Sequence, residues 1–218
     1  NCSGGAEATS GTFVDARDGQ EYAWVKIGDQ TWMAENLNVG NMINGVNDQI
    51  NNSTIEKYCY ENLESNCDIY GGLYQWNEMM QYVTAEDAQG ICPEGWHIPS
   101  DAQWHALENS LATGTCDPSR RNFGCDPAGS KLAGSYDLWN DGNLRNHIDF
   151  NDSGFNSIPA GYRNADGSFS SLGSSSYLWS SSIGGSRAWI RNLNSSNSSV
   201  YHNYNGLADG FSVRCLQN

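Results

Sequence analysis

The stretch CPEGWHIPSDAQWHAL, Cys92 to Leu107, sets His97, Asp101 and His105 close together, with Glu108 one residue beyond. Imidazoles beside carboxylates are the groups of general acid–base catalysis and of metal ligation. On a helix, Asp101 and His105 stand four residues apart and share a face. No HExxH, GxSxG or paired metal spacing accompanies them. The sequence therefore predicts a protein that is not an enzyme, with these side chains serving the fold.

A second chemistry is cation binding. LWNDGNLRNHIDFNDSGFN (138–156) gathers Asp141, Asp149 and Asp152 among Asn and Gly turns, and hard cations take such oxygen ligands. Calcium at these three carboxylates is the one cofactor the sequence leaves open. Against it, EF-hand order is missing, and so is the Glu-Pro-Asn or Gln-Pro-Asp partner of a lectin-type calcium site. Asx turns on a solvated loop are the favoured reading.

The third chemistry is sulfur. Seven cysteines occur: Cys2, Cys59, Cys67, Cys92, Cys116, Cys125 and Cys215. Cys59 with Cys67, and Cys116 with Cys125, each close a short polar loop. None of the spacings is CxxC, which argues against a zinc knuckle or a thioredoxin-type site. Disulfides formed in an oxidising compartment account for them most simply. If the short pairs bridge locally, Cys92 is left for Cys215 and Cys2 is the odd one. NCSGG resembles the region after a bacterial lipoprotein cleavage site, although Asn1 precedes the cysteine. Cys2 is then a lipid anchor or a bond to another subunit, and both place the protein outside the cytoplasm.

Bulk composition narrows the partners. The net charge of −14 excludes nucleic acid, which requires basic patches, and argues against electrostatic binding to anionic lipid. Sugars, proteins and copies of the chain itself remain open. No apolar run approaches the ~20 residues of a membrane span. With 24 Gly, 8 Trp and 11 Tyr but only 17% charged residues, the chain calls for long ordered loops pinned by aromatic anchors.

The elements follow from local pattern. Residues 1–11 read as a small polar arm, and 12–218 as one domain. EYAWVKIGDQTWMAENL predicts a hairpin turning at Gly28–Asp29, with Tyr22 and Trp24 on one face and Val25 and Ile27 on the other. Leu73, Trp76, Met80 and Val83 have helical spacing and predict a helix over 70–83. Ser100 caps a second helix, Gln103 completes a capping box, and Trp104, Leu107 and Leu111 form its buried stripe. After Cys125 the sequence predicts no helix but short strands at 154–163, 176–182, 187–193, 198–204 and 210–216. The layout is α+β. Trp179 and Trp189 read as core. Tyr177, Asn194, Asn197, Tyr201, Asn203, Tyr204 and Asn205 read as a displayed face, since Tyr, Ser and Asn together make an adaptable contact surface.

DARDGQEYAWVKIGDQTWMAENL, CPEGWHIPSDAQW, IPAGYR, LWSSS and GFSVRCL, in that order, resemble the Fibrobacter succinogenes major paralogous domain, a family of secreted or surface bacterial proteins. More distantly, W-x-(I/L)-P-(S/T)-x-x-x-W and the final strand are similar to formylglycine-generating sulfatase-modifying enzymes. That resemblance implies a C-type-lectin-like fold: two helices, a small twisted antiparallel sheet, long irregular loops, and chain ends meeting in one sheet. A Cys92–Cys215 bond would tie the approach to the second helix to the last strand. The reactive cysteine pair of those enzymes has no counterpart here, so their activity does not carry over. The leading expectation is an extracellular or cell-surface binding and adhesion domain, its ligand a protein or carbohydrate met on the C-terminal strands. The alternative is a self-assembling fibre or surface-layer subunit linked through the arm and Cys2.

Overall fold

A computed structural model describes residues 9–218. Its first third gives β1 (Ser10–Val14), β2 (Glu21–Ile27), β3 (Gln30–Met33) and the short β4 (Asn41–Met42) and β5 (Glu56–Lys57). Helices α1 (Glu64–Tyr70) and α2 (Trp76–Met79) follow, then β6 (Trp96–His97) and α3 (Asp101–Leu111). β7 (Phe123–Gly124) and α4 (Ala128–Leu132) lead to β8 (Ala160–Arg163) and β9 (Phe169–Leu172). Three long strands, β10 (Ser175–Gly184), β11 (Arg187–Asn194) and β12 (Asn197–Gly206), precede β13 (Leu216–Gln217).

The α+β class stands, but the architecture exceeds two helices and one small sheet. One sheet has the order β1-β2-β3-β13-β6 and another β7-β12-β11-β10-β8-β9, beside the pair β4-β5. Not every pairing is antiparallel, since β8 meets β10 in parallel. The β2–β3 hairpin turns at Gly28–Asp29 as expected, with Ile27 opposite Gln30 and Gly28 at φ +59°. The N-terminal hairpin and β13 share one sheet, because Leu216 pairs with both Trp32 and His97. All three expected disulfides form: Cys59–Cys67, Cys92–Cys215 and Cys116–Cys125. Cys2 lies outside the described residues. No helix among those residues is long and apolar enough to cross a membrane.

Three local expectations are corrected. The arm does not reach residue 11: Thr9 accepts a hydrogen bond from Lys26 N–H and β1 starts at Ser10. The helix expected over 70–83 is one turn only. Gly71, at φ +79°, ends α1, and Leu73 and Tyr74 then commit their backbone groups to Tyr58 and Phe211. Leu73, Trp76 and Met80 are buried all the same, while Val83 is exposed. After Cys125 a short helix does form, α4, whose Gly129 passes so close to β12 that a Cβ would sit 2.5 Å from the Ser199 carbonyl. Five residues are too few to show an apolar stripe.

α3 forms as its sequence directs. Gln103 Oε1 accepts from Ser100 N–H at 2.9 Å within a capping box, and Trp104 and Leu107 are buried. The core is two clusters with the six-stranded sheet between them. Trp179, Ala188 and Ile190 face one cluster; Leu178, Leu193 and Val200 face the other, which includes Trp104 and Leu107 of α3.

Candidate functional site

Register decides which side chains of the long strands meet α3. Leu178, Arg191 and His202 lie opposite one another across β10, β11 and β12, on the face toward the helix. Asp101 and Glu108, two helical turns apart, point back at them. Arg191 is 1% exposed and donates from Nη1 to Asp101 Oδ1 at 2.6 Å and from Nη2 to the Asp101 carbonyl at 3.1 Å. Its Nε donates to Glu108 Oε1, and Arg120 donates to the other oxygen of the same buried carboxylate. His202 Nε2–H donates to Asp101 Oδ1 at 2.9 Å. Burial alone would raise the Asp101 carboxyl, but the His202 hydrogen bond and the Arg191 charge hold it down at about 2. Two neutral bonds seat the start of α3 on β10: Asp101 N–H to Ser182 Oγ at 2.9 Å, and Ser181 N–H to the Pro99 carbonyl at 2.8 Å.

A cleft of about 350 Å³ opens where this network reaches the surface, lined by Glu86, Asp101, His105, Ser182, Ile183 and Trp189 among others. Trp189 is half-buried. Its ring stacks on His202 with centroids 4.3 Å apart and meets Tyr204 at 4.2 Å, and Arg121 lies over Tyr204 at 4.4 Å. His105 Nδ1 is buried and has no hydrogen-bond partner, and burial pushes its imidazole down in pKa. The cleft can thus stack a ring and accept hydrogen bonds. Its groups nearest to a catalytic set are occupied: Asp101 Oδ1 by Arg191 and His202, and Ser182 Oγ by Asp101 N–H.

Register places Tyr177, Tyr201, Asn203 and Asn205 of the expected displayed face on one side of the sheet and Tyr204 on the other. Tyr201, Asn203 and Asn205 alternate with Tyr204, which sits on the opposite side of β12 with Trp189. Tyr177 is half-buried, stacked on Phe211 and close to Tyr162. Asn203 donates to Tyr201 Oη at 2.7 Å, and Asn205 donates to Asp209 at 3.2 Å. Asn194 and Asn197 frame the β11–β12 turn, roughly 17 Å along β11 from Trp189. Their side-chain oxygens accept from Ser196 and Ser199 backbone N–H groups. All seven residues are half-buried.

Trp189 reverses its expected place in the core. The signal was present in RAWIRNL: Ala188 and Ile190 are the buried apolar pair, so Trp189 must share a face with Arg191. The Arg191–Glu108 pairing had no local signal, because the partners are far apart in sequence. His97 has the structural role its context suggested, with Nδ1 2.6 Å from Asn218 Oδ1 and Nε2 3.1 Å from Gln103 Oε1.

The three carboxylates left open for calcium are not gathered into one group. Asp141 is exposed and receives Arg145 at 3.2 Å and Asn146 at 2.8 Å. Asp149 lies 3.9 Å from Lys131 Nζ, and Asp152 N–H donates to the Asp149 carbonyl at 3.2 Å. The chain's own cations and amides take up two of the three carboxylates. Among the described residues no group of three or more His, Cys, Asp or Glu could hold a metal ion.

The family model described as the Fibrobacter succinogenes major domain matches residues 25–217, and the chain belongs to that family. No curated protein and no solved structure is significantly similar to it.

Proposed function

We propose that this member of the Fibrobacter succinogenes major domain family is an extracellular binding and adhesion domain that takes its ligand in the cleft beside Trp189. The observation that carries the reading is the half-buried indole, backed by His202 and flanked by Tyr204, above a cleft with two carboxylates. Aromatic side chains of this kind dominate binding energetics when one face is fixed by packing and the rest remains open. Three disulfides support an oxidising, extracellular setting. The sharing of one sheet by β2, β3 and β13, tied by Cys92–Cys215, supports reading the fold as C-type-lectin-like. Binding rather than turnover is favoured because Asp101 Oδ1 and Ser182 Oγ are already engaged in seating α3.

The test is retention on a panel of immobilised neutral, acidic and basic polysaccharides, comparing wild type with Trp189→Ala. Loss of the indole should weaken retention about tenfold on whichever surfaces hold the wild type (~1.4 kcal/mol). Unchanged retention of Trp189→Ala on all of them would remove the cleft as the ligand site.

A further inference from the structure

We propose that the cleft beside Trp189 selects a protonated amine, and that its ligand is an amino sugar whose ring lies on the indole. The inference rests on the reading of this cleft as the binding site and goes on to the chemistry of its walls. Those walls are rich in acceptors and poor in donors. Glu86 is exposed and bonds to no described residue, and no hydrogen bond from a described residue reaches Asp101 Oδ2. No Lys or Arg side chain lines the cleft.

A sugar hydroxyl brings lone pairs as well as a proton and needs donors around it. An ammonium group brings three N–H donors and no acceptor, so it suits a wall that offers free carboxylate oxygens. Arg191 stands behind Asp101, buried, and offsets that carboxylate in part, while Glu86 has no such partner. The indole adds attraction for a cation near its face, and the net charge of −14 draws cations toward the whole surface. A lysine side chain would satisfy the carboxylates but would leave the flat face of Trp189 unmatched. A pyranose carrying an amino group meets both.

The experiment is calorimetric titration of the whole chain at low salt with three probes: a glucosamine trisaccharide, its fully N-acetylated counterpart, and lysine methyl ester. The free-amine sugar should bind about tenfold more tightly than the N-acetylated one, and the preference should shrink in high salt as the charges are screened. Glu86→Gln, a change at an exposed residue without a described partner, should reduce the preference to about threefold. Trp189→Ala should weaken both sugars. Equal binding of the two sugars, still sensitive to Trp189→Ala, overturns the amine while leaving the cleft as the site. Lysine ester binding as tightly as the amino sugar overturns the sugar half of the proposal. If no probe binds, the amine proposal fails; if Trp189→Ala also leaves polysaccharide retention unchanged, the cleft reading fails with it.

Discussion

Removing the Cys92–Cys215 bridge should cost about twice as much stability as removing Cys59–Cys67. The first pair is separated by 123 residues and the second by 8. A cross-link lowers the entropy of the unfolded chain by an amount that grows with the logarithm of the loop it closes. That gives about 4.9 kcal/mol for the long loop and about 2.5 kcal/mol for the short one at 25 °C. A domain of this size has only about 5–15 kcal/mol in total, so the long bridge alone approaches the margin of folding. All four cysteines are buried, so truncation to alanine removes similar packing from both sites and largely cancels in the comparison. The assay is urea unfolding of Cys92→Ala/Cys215→Ala against Cys59→Ala/Cys67→Ala, with the remaining bridges oxidised. A difference near 2.4 kcal/mol in favour of the short-loop variant is expected. Equal losses would refute the argument from loop entropy and assign both bridges a purely local role.

Two further outcomes test the network that seats α3. Because the folded Asp101 carboxyl sits at about 2, below its ordinary 3.8, its contacts contribute about 2 kcal/mol above roughly pH 4 and lose it as pH falls through about 2. Thermal midpoints of wild type and Asp101→Asn should therefore converge between pH 4 and pH 2; a gap that stays constant over that range would mean other groups set it. Arg191→Met leaves Glu108 buried with Arg120 as its remaining cation and should cost about 3–5 kcal/mol in urea unfolding. Adding Glu108→Gln should recover at least ~1 kcal/mol of that loss, and strict additivity of the two changes would deny their coupling.

What could be read from the sequence was what neighbouring residues decide. Ser100 and Gln103 fix the start of α3 within one turn, and Gly28–Asp29 fixes the β2–β3 hairpin, so both elements were legible. The stretch 70–83 shows the opposite case. Its apolar spacing was helical, yet Leu73 and Tyr74 found backbone partners at Tyr58 and Phe211 that no local pattern announces. The buried charge of Glu108 was equally hidden, because a carboxylate beside the stripe of α3 looks solvated until Arg191 and Arg120 arrive from other segments. The C-terminal strands were found, but their faces were misjudged. Alternation of Tyr and Asn with Ser reads as one wet face, whereas Tyr204 turns to the Trp189 side and the others are half-buried.

Packing on both faces of the sheet bears on where the proposed ligand would be held. Both broad faces of the six-stranded sheet contribute to the two apolar clusters, and the Tyr and Asn side chains of β12 stay half-buried. At the β11–β12 turn, the side-chain oxygens of Asn194 and Asn197 bond to the turn backbone, so the amides there hold the loop itself. At the opposite end, Trp189 stays half-buried and Asp101 is presented beside it by Arg191 and His202. The residues that lock α3 to the sheet are therefore the ones that fix the cleft. A cleft built this way would be ordered before the proposed ligand arrives, so binding would lose little ordering entropy. The same coupling implies that weakening the Arg191 network should loosen the cleft before the domain unfolds, since Asp101 would lose its anchor while the two apolar clusters remain intact.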